Sequence, residues 1–94
     1  MMPGPSFHEK RSEPRRPAQG AVTVRVSNHR PAEIHGQLVD VSASGFRMEH
    51  RDSSLEGGQL VEFSHPTASG SARVMWNRIL DHRVETGFLI VAPK

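Results

Sequence analysis

The sequence predicts an all-β fold: a small six-stranded antiparallel barrel with a flexible N-terminal arm and no substantial C-terminal helix. Six short segments alternate apolar and polar side chains, turn residues separate them at short intervals, and no segment repeats its apolar residues at helical spacing. The chain has 94 residues, enough for one small domain. In so short a chain, closing the sheet is the simplest way to remove exposed strand edges.

The N-terminal segment is predicted to stand apart from the barrel. Residues 1–9 are rich in proline and contain Phe7 as their one large side chain besides methionine, so they are predicted to be disordered. Residues 10–20 are predicted to form an extended arm, because their prolines exclude a helix. The folded domain is therefore expected to comprise residues 10–94, with the arm as its ligand-binding extension.

The strands follow the arm in chain order. The first, residues 21–27, places Val22, Val24 and Val26 on one face and polar side chains on the other. The second, residues 34–41, has apolar side chains on both faces, and its pattern leaves the inward face open. The remaining four strands are predicted at residues 46–49, 59–64, 71–79 and 84–91.

Composition excludes several functional classes. The chain has no cysteine, so it can hold neither a disulfide nor a thiolate metal site. Its six histidines are scattered near turns without the spacing of metal ligands and are predicted to be exposed to solvent. The sequence has no nucleophile–base pair and no phosphate-binding loop, so we expect no enzymatic activity. No apolar run is long enough to cross a bilayer, and we expect a cytoplasmic protein without membrane insertion.

The excess positive charge belongs to the arm. The first twenty residues hold four basic and two acidic side chains, and residues 21–94 hold eight of each, which together give the net charge of +2. A protein that binds DNA or RNA along its surface spreads its basic residues more widely, so we expect no DNA or RNA partner. A small anionic ligand needs only a few arginines. Arg25, Arg47 and Arg73 fall on the polar faces of strands and are predicted to be ordinary surface residues.

One candidate binding cluster lies in the arm. Arg11 and Arg15 carry planar guanidinium groups that match phosphate oxygens, or O6 and N7 of guanine, in bidentate fashion. Arg16 adds a third such group.

A second cluster lies at the turn after the second strand. An ionised Asp40 is an acceptor that suits the paired N–H groups of guanine, and the hydroxyl of Ser42 can bond a base or a phosphate. Gly45 permits a positive φ or the close approach of another molecule. The two clusters together indicate a ligand with phosphates and guanine bases.

The same two clusters carry a family resemblance. The sequences RSEPR at residues 11–15 and DVSASG at residues 40–45 resemble the RxxxR and [D/N]xSxxG motifs of the PilZ domain. The sequence VMW at residues 74–76 and GF at residues 87–88 are similar to further family features, so the resemblance covers residues 10–91. PilZ domains are six-stranded bacterial barrels that bind the second messenger cyclic di-GMP.

The resemblance implies a role for each motif residue. Arg11 and Arg15 would bind phosphates and the Hoogsteen edges of the guanines. Asp40, Ser42 and Gly45 would hold a guanine against the barrel.

Two further residues enter through the resemblance. Trp76 would offer a stacking face to a base, an interpretation that competes with a place in the core. Lys10 stands where a basic residue in relatives favours two stacked ligand molecules. The predicted ligand-binding residues are thus Lys10, Arg11, Arg15, Arg16, Asp40, Ser42, Gly45 and Trp76.

The functional hypothesis is a non-catalytic receptor module for cyclic di-GMP, without a cofactor, whose arm becomes ordered on binding and is recognised by a downstream protein partner. Two alternatives stay open. One is a PilZ-like scaffold that works through protein contacts and binds no nucleotide. The other is a small barrel that binds single-stranded nucleic acid, which calls for several aromatic side chains on one face.

Overall fold

The computed structural model describes residues 13–27 and 31–94. Lys10, Arg11 and residues 1–9 lie outside this described part of the chain. Within it there are seven strands and no helix, and therefore no helix that could cross a lipid bilayer. The strands are β1 (Arg16–Pro17), β2 (Ala21–Val26), β3 (Ala32–Val41), β4 (Gly45–His50), β5 (Leu60–His65), β6 (Ala68–Leu80) and β7 (Arg83–Pro93).

All seven strands belong to one antiparallel sheet, in the order β1-β3-β2-β5-β6-β7-β4. An additional pairing of β3 with β4 closes the sheet, so that β2 to β7 form a six-stranded barrel and β1 lies outside it against β3. The predicted fold is confirmed. The short outer strand β1 was not predicted.

The core confirms the predicted alternation of β2. Val22, Val24 and Val26 are buried and face the barrel interior. The centre of the core is aromatic: the ring of Phe46 stacks on that of Phe88 at 4.7 Å between centroids and contacts that of Phe63 at 4.8 Å. Packing of apolar side chains from all six barrel strands therefore holds the scaffold of the site rigid.

A β-bulge explains why the faces of β3 could not be assigned from its pattern. Leu38 pairs with Met48 and Asp40 pairs with Arg47, so Val39 is an extra residue with no partner. Side chains on the core side therefore change from even-numbered to odd-numbered positions, and both Leu38 and Val41 pack on the core. Asp40 consequently lies on the same side of the sheet as Arg47.

The β6–β7 hairpin is longer than predicted. Residues 68–70, which precede the predicted fifth strand, already pair with β5 and with the end of β7. A second bulge separates Val74 from Trp76 and sets Trp76 opposite Gly87. The hairpin thus carries the tryptophan to the outside of the barrel.

Two of the histidines predicted to be exposed, His50 and His65, are buried, and for them that prediction is wrong. The His65 ring packs against Phe46 and Phe63, with its centroid 5.1 Å and 5.5 Å from theirs. Its Nδ1 accepts a hydrogen bond from the backbone of Thr67 at 3.3 Å.

His50 is the start of a hydrogen-bond chain whose first side-chain bond is buried. Its Nδ1 accepts from the backbone N–H of Asp52 at 3.1 Å, so its Nε2 carries the proton that bonds Thr86 Oγ1 at 2.7 Å. The Thr86 hydroxyl donates to Asn77 Oδ1, and Asn77 Nδ2 donates to the carbonyl of Leu55, each at 2.6 Å. This chain ties the loop after β4 to the β6–β7 hairpin.

Candidate functional site

A tight turn between β3 and β4 forms the centre of the candidate site. The backbone N–H of Ser42 donates to the carbonyl of Gly45 at 2.9 Å, and the carbonyl of Ser44 accepts from Ile90 at 2.8 Å. Gly45 does not have a positive φ. Glycine is needed there because a Cβ would overlap the carbonyl oxygen of Phe88 on β7. Glycine is therefore required at this position by the packing of β4 on β7, and not by a positive φ, which was one of the two reasons predicted for Gly45.

Asp40 is buried beneath the site, with 6% of its surface exposed. Its Oδ1 accepts from Nε and Nη2 of Arg15 at 3.2 and 3.0 Å. Arg47 donates through Nε to both carboxylate oxygens at 3.0 and 2.9 Å, and through Nη2 to Oδ2. The prediction that Arg47 is an ordinary surface residue is therefore wrong.

The charges of this cluster stabilise one another. Burial alone would raise the pKa of Asp40, but hydrogen bonds and positive charge from Arg47 and Arg15 hold that pKa below its usual value. The hydrogen bond to Asp40 raises the pKa of Arg47 in turn. Asp40 is therefore ionised at neutral pH and fixes the orientation of two guanidinium groups.

Arg47 carries a positional signal that becomes readable once the turn is known. Val41 pairs with Phe46 across the turn, and the next pair outward is Asp40 with Arg47. A cross-strand pair of opposite charges stabilises a sheet, and this pair holds Arg47 beside the turn. The signal depends on the register of β3 and β4, which the sequence pattern leaves open.

The arm reaches the turn through two side chains. Arg15 Nη1 donates to the hydroxyl oxygen of Ser42 at 3.4 Å, and Ser44 Oγ donates to Glu13 Oε1 at 2.8 Å. Arg15 thus has partners on the barrel itself, Asp40 and Ser42.

Backbone bonds hold the following residues of the arm. Arg16 and Pro17 pair with Val41 and Asp40 of β3, and the N–H of Ala18 donates to Val39 at 3.1 Å. Residues 16–20 are therefore bonded to the barrel through their backbone.

An open pocket of about 460 Å³ lies between the arm, the turn and the β6–β7 hairpin. Four predicted ligand-binding residues line it: Arg15, Ser42, Gly45 and Trp76. The structure thus brings together residues from three separate parts of the chain. Its other lining residues, which were not predicted, are Ser44, Arg47, Met75, Gly87, Phe88 and Leu89.

Two other predicted residues take different positions. Asp40 does not line the pocket but lies below it, bonded to Arg15. Arg16 is exposed on β1 and does not line the pocket either.

Trp76 lies at the rim of the pocket with 38% of its surface exposed. A Cβ on Gly87 would overlap the indole ring, so one face of the ring lies directly on the backbone of β7. The guanidinium carbon of Arg78 is 5.6 Å from the ring centroid. The structure therefore places Trp76 outside the core, with one face of its ring on Gly87 and the Arg78 guanidinium over the ring.

The electrostatic character of the site is that of a network of arginines. Arg47 Nη1 lies 3.8 Å from Glu85, which also accepts from Arg78 Nη2 at 2.9 Å. Arg15 and Arg47 line the pocket, and their guanidinium groups suit an anionic, aromatic ligand. In the described part of the chain, no group of three or more His, Asp or Glu side chains is arranged to hold a metal ion.

Comparison with known proteins identifies the family of this chain. The family model described as PilZ domain matches residues 9–90 of the chain. Comparison with curated proteins finds no match. The matched segment includes both motifs, five barrel strands and most of β7, which is nearly the whole length of the sequence, and the chain therefore belongs to the PilZ domain family.

Proposed function

We propose that this chain is a non-catalytic receptor module that binds cyclic di-GMP in the pocket between Arg15, Ser42 and Trp76. PilZ domains are generally non-catalytic receptors for this messenger. The observation that carries the proposal is the convergence of the two motifs: the Arg15 guanidinium lies 3.4 Å from the Ser42 hydroxyl, although 27 positions separate them. Because the messenger is bacterial, the module would act in a bacterial cytoplasm.

The arginines supply the recognition of phosphate. Arg15 is the exposed member of the cluster, with two nitrogens on Asp40 and Nη1 directed to the turn. A phosphate in the pocket would take a charge-assisted bond from this fork. Lys10 and Arg11, which lie outside the described residues, and Arg16 are proposed to add positive charge to the same ligand.

Asp40 is proposed to act mainly by positioning. Its two oxygens already accept five hydrogen bonds from Arg15 and Arg47, and little of its surface is exposed. If Arg15 turns toward a phosphate, Arg47 still neutralises the carboxylate. The Ser42 hydroxyl then remains to bond the guanine that the family motif holds at this turn.

Trp76 supplies a surface for a base. One face of its indole lies on Gly87 and the Arg78 guanidinium lies over the ring, so a guanine that stacks on the opposite face would take the place of Arg78 there. Stacking on an aromatic side chain contributes about 1–3 kcal/mol per base. In the described residues Phe46, Phe63 and Phe88 are buried, which disfavours a path of stacked bases along single-stranded nucleic acid.

The arm is proposed to carry the output. Residues 16–20 already bond β3, so we assign the ligand-dependent change to residues 10–15, whose described contacts with the barrel are the side-chain bonds of Glu13 and Arg15. Ordering this segment would create a surface that a downstream protein partner could recognise. Amide hydrogen exchange should show added protection in residues 10–15 on saturation. Equal exchange with and without ligand would reject the arm as the output and leave binding untouched.

Isothermal titration calorimetry tests the binding itself. Cyclic di-GMP should bind saturably and be recovered unchanged, whereas cyclic di-AMP, which has the same phosphates, and a single-stranded oligonucleotide should bind at least tenfold more weakly. The absence of binding heat at about 1 mM cyclic di-GMP would favour the protein-contact scaffold instead.

Substitution of Arg15 tests the position of the site. A hydrogen bond to a charged group contributes about 1.5–3 kcal/mol, so Arg15→Ala should weaken binding at least tenfold. Arg25→Ala is the matched control, because Arg25 bonds Glu33 on the exposed surface of β2 and β3. Equal losses in the two variants would show that the ligand does not occupy this pocket.

A further inference from the structure

The outer face of β5, β6 and β7 carries an exposed apolar patch. Leu60, Arg73 and Leu89 stand opposite one another on the three strands, and residues in register share one face of a sheet. Met75 follows Arg73 by two residues on β6 and Val91 follows Leu89 by two on β7; each lies at a register shift of the hairpin and is exposed. The four apolar side chains are between 37% and 53% exposed. We call these five residues the β5–β7 patch.

Two charged side chains on this face have no oppositely charged partner in the described structure. Arg73 is part of the patch, and its Nη1 donates to the carbonyl of Gly58 at 2.8 Å. Glu62 lies two residues along β5 from Leu60, and its Oε2 accepts from the hydroxyl of Ser71 at 2.8 Å. Within residues 13–27 and 31–94, no ion pair involves either Arg73 or Glu62.

From these observations we propose that the β5–β7 patch binds a second copy of this chain in a two-fold symmetric dimer. In such an interface the same surface meets itself, and if one residue contacts a second residue on the partner, the reverse contact also forms. One cation and one anion beside an apolar patch satisfy this symmetry: Arg73 of each copy pairs with Glu62 of the other. The proposal does not rest on nucleotide binding, although Met75 and Leu89 of the patch also line the candidate pocket.

The charges favour a second copy over an unrelated partner. A patch bordered by one sign of charge would call for a partner of the opposite sign. Here Arg73 and Glu62 lie on neighbouring strands in a diagonal arrangement, so the face carries its own complement. Four apolar side chains form a small interface, which corresponds to a reversible dimer that dissociates on dilution.

Sedimentation equilibrium tests the proposal over protein concentrations from about 1 μM to about 1 mM. The wild-type chain should pass from monomer to dimer within this range. Glu62→Arg and Arg73→Glu should each weaken the dimer at least tenfold, because each places like charges opposite one another. Asp81→Arg, which changes the net charge as Glu62→Arg does but at the exposed β6–β7 turn, should leave the dimer unchanged.

The decisive sample is an equimolar mixture of the two single variants. In the mixed dimer the unchanged Arg73 of one variant meets the unchanged Glu62 of the other. The introduced arginine and the introduced glutamate meet at the symmetry-related position, so both ion pairs return and a one-to-one heterodimer should form. Leu60→Ser, which removes an apolar contact and no charge, should also weaken self-association. Thermal unfolding of each variant checks that the fold is intact.

Three results would overturn the proposal. The wild-type chain could remain monomeric at every concentration, the charge variants could associate as strongly as the wild type, or the mixture of variants could fail to restore association. If one charge variant does not fold, Leu60→Ser together with the other charge variant still decides the outcome, because both must weaken the wild-type dimer.

Discussion

Replacing Arg47 by glutamine should destabilise the folded domain, because Arg47 is the main partner of a buried carboxylate. It donates three of the five hydrogen bonds that Asp40 accepts. Without Arg47, the two remaining bonds from Arg15 both end on Oδ1, and Oδ2 loses its partners. An ionised oxygen covered by protein and left without a donor carries a large free-energy cost.

The magnitude follows from the burial of the pair. Removing one partner of a fully buried ion pair costs about 3–5 kcal/mol, and exposed pairs contribute less than about 1 kcal/mol. Asp40 is buried while Arg47 is part-exposed, and Arg15 still neutralises half of the site. We therefore expect the free energy of unfolding to fall by about 2 kcal/mol. For a domain of this size, that loss lowers Tm by about 8–16 °C.

Urea denaturation at neutral pH measures this change. Arg83→Gln is the matched control, because it removes the same chemical group from the more exposed ion pair with Glu49 and should cost less than about 1 kcal/mol. The reasoning would be refuted by equal losses in the two variants, since burial would then make no difference.

The effect should also depend on pH in a defined direction. The folded-state pKa of Asp40 lies below its ordinary value of 3.8, so the unfolded chain binds a proton there first. The contribution of the Asp40–Arg47 pair is complete above that value and is lost as the pH falls through the folded-state pKa. The difference between Arg47→Gln and the wild type should therefore shrink in acid.

Two further predictions concern the tryptophan and the buried histidines. Gly87→Ala should move the indole of Trp76, because a Cβ there overlaps the ring. The fluorescence emission of this sole tryptophan should shift, and cyclic di-GMP affinity should fall. Gly57→Ala should change neither, because the nearest contact of a Cβ at Gly57 is an ordinary one at 3.8 Å. Burial lowers the pKa of His50 and His65 below the ordinary value of 6.5, so the unfolded chain binds protons first and the free energy of unfolding should fall as the pH drops below about 6.5. Urea denaturation at about pH 7.5 and about pH 5.5 measures this loss of stability. His50→Gln should make the loss smaller. Equal stability of the wild-type chain at the two pH values would contradict the prediction.

The site was predictable in part because the residues of each motif lie within a few positions of one another in the sequence. The spacing of Arg11 and Arg15, and of Asp40 and Ser42, is written in the chain, and such short motifs can be recognised without a structure. Arg15 of the first motif and Ser42 of the second line one pocket with Trp76. This arrangement depends on the closure of the barrel. The sequence pattern predicted closure, but not which strand ends would meet.

His50 and Arg47 show where pattern reasoning failed. A histidine beside a turn has the composition of a surface position, and nothing nearby in sequence indicates that Thr86, 36 positions away, bonds its Nε2. Arg47 alternates with apolar neighbours in the manner of an exposed residue. Its pairing with Asp40 depends on a register that is set by the tight turn and the bulge at Val39.

Local alternation was sufficient for a strand without a bulge, such as β2, because the direction of a side chain in a regular strand depends only on its neighbours along the chain. For that reason the inward valines of β2 and the all-β class followed from residue order alone. The bulges at Val39 and Met75, the glycine beneath Trp76 and the buried pairing of Asp40 came from contacts between strands far apart in sequence. Those contacts depend on how the whole sheet closes and packs, and a one-residue change of register reverses every side chain after it.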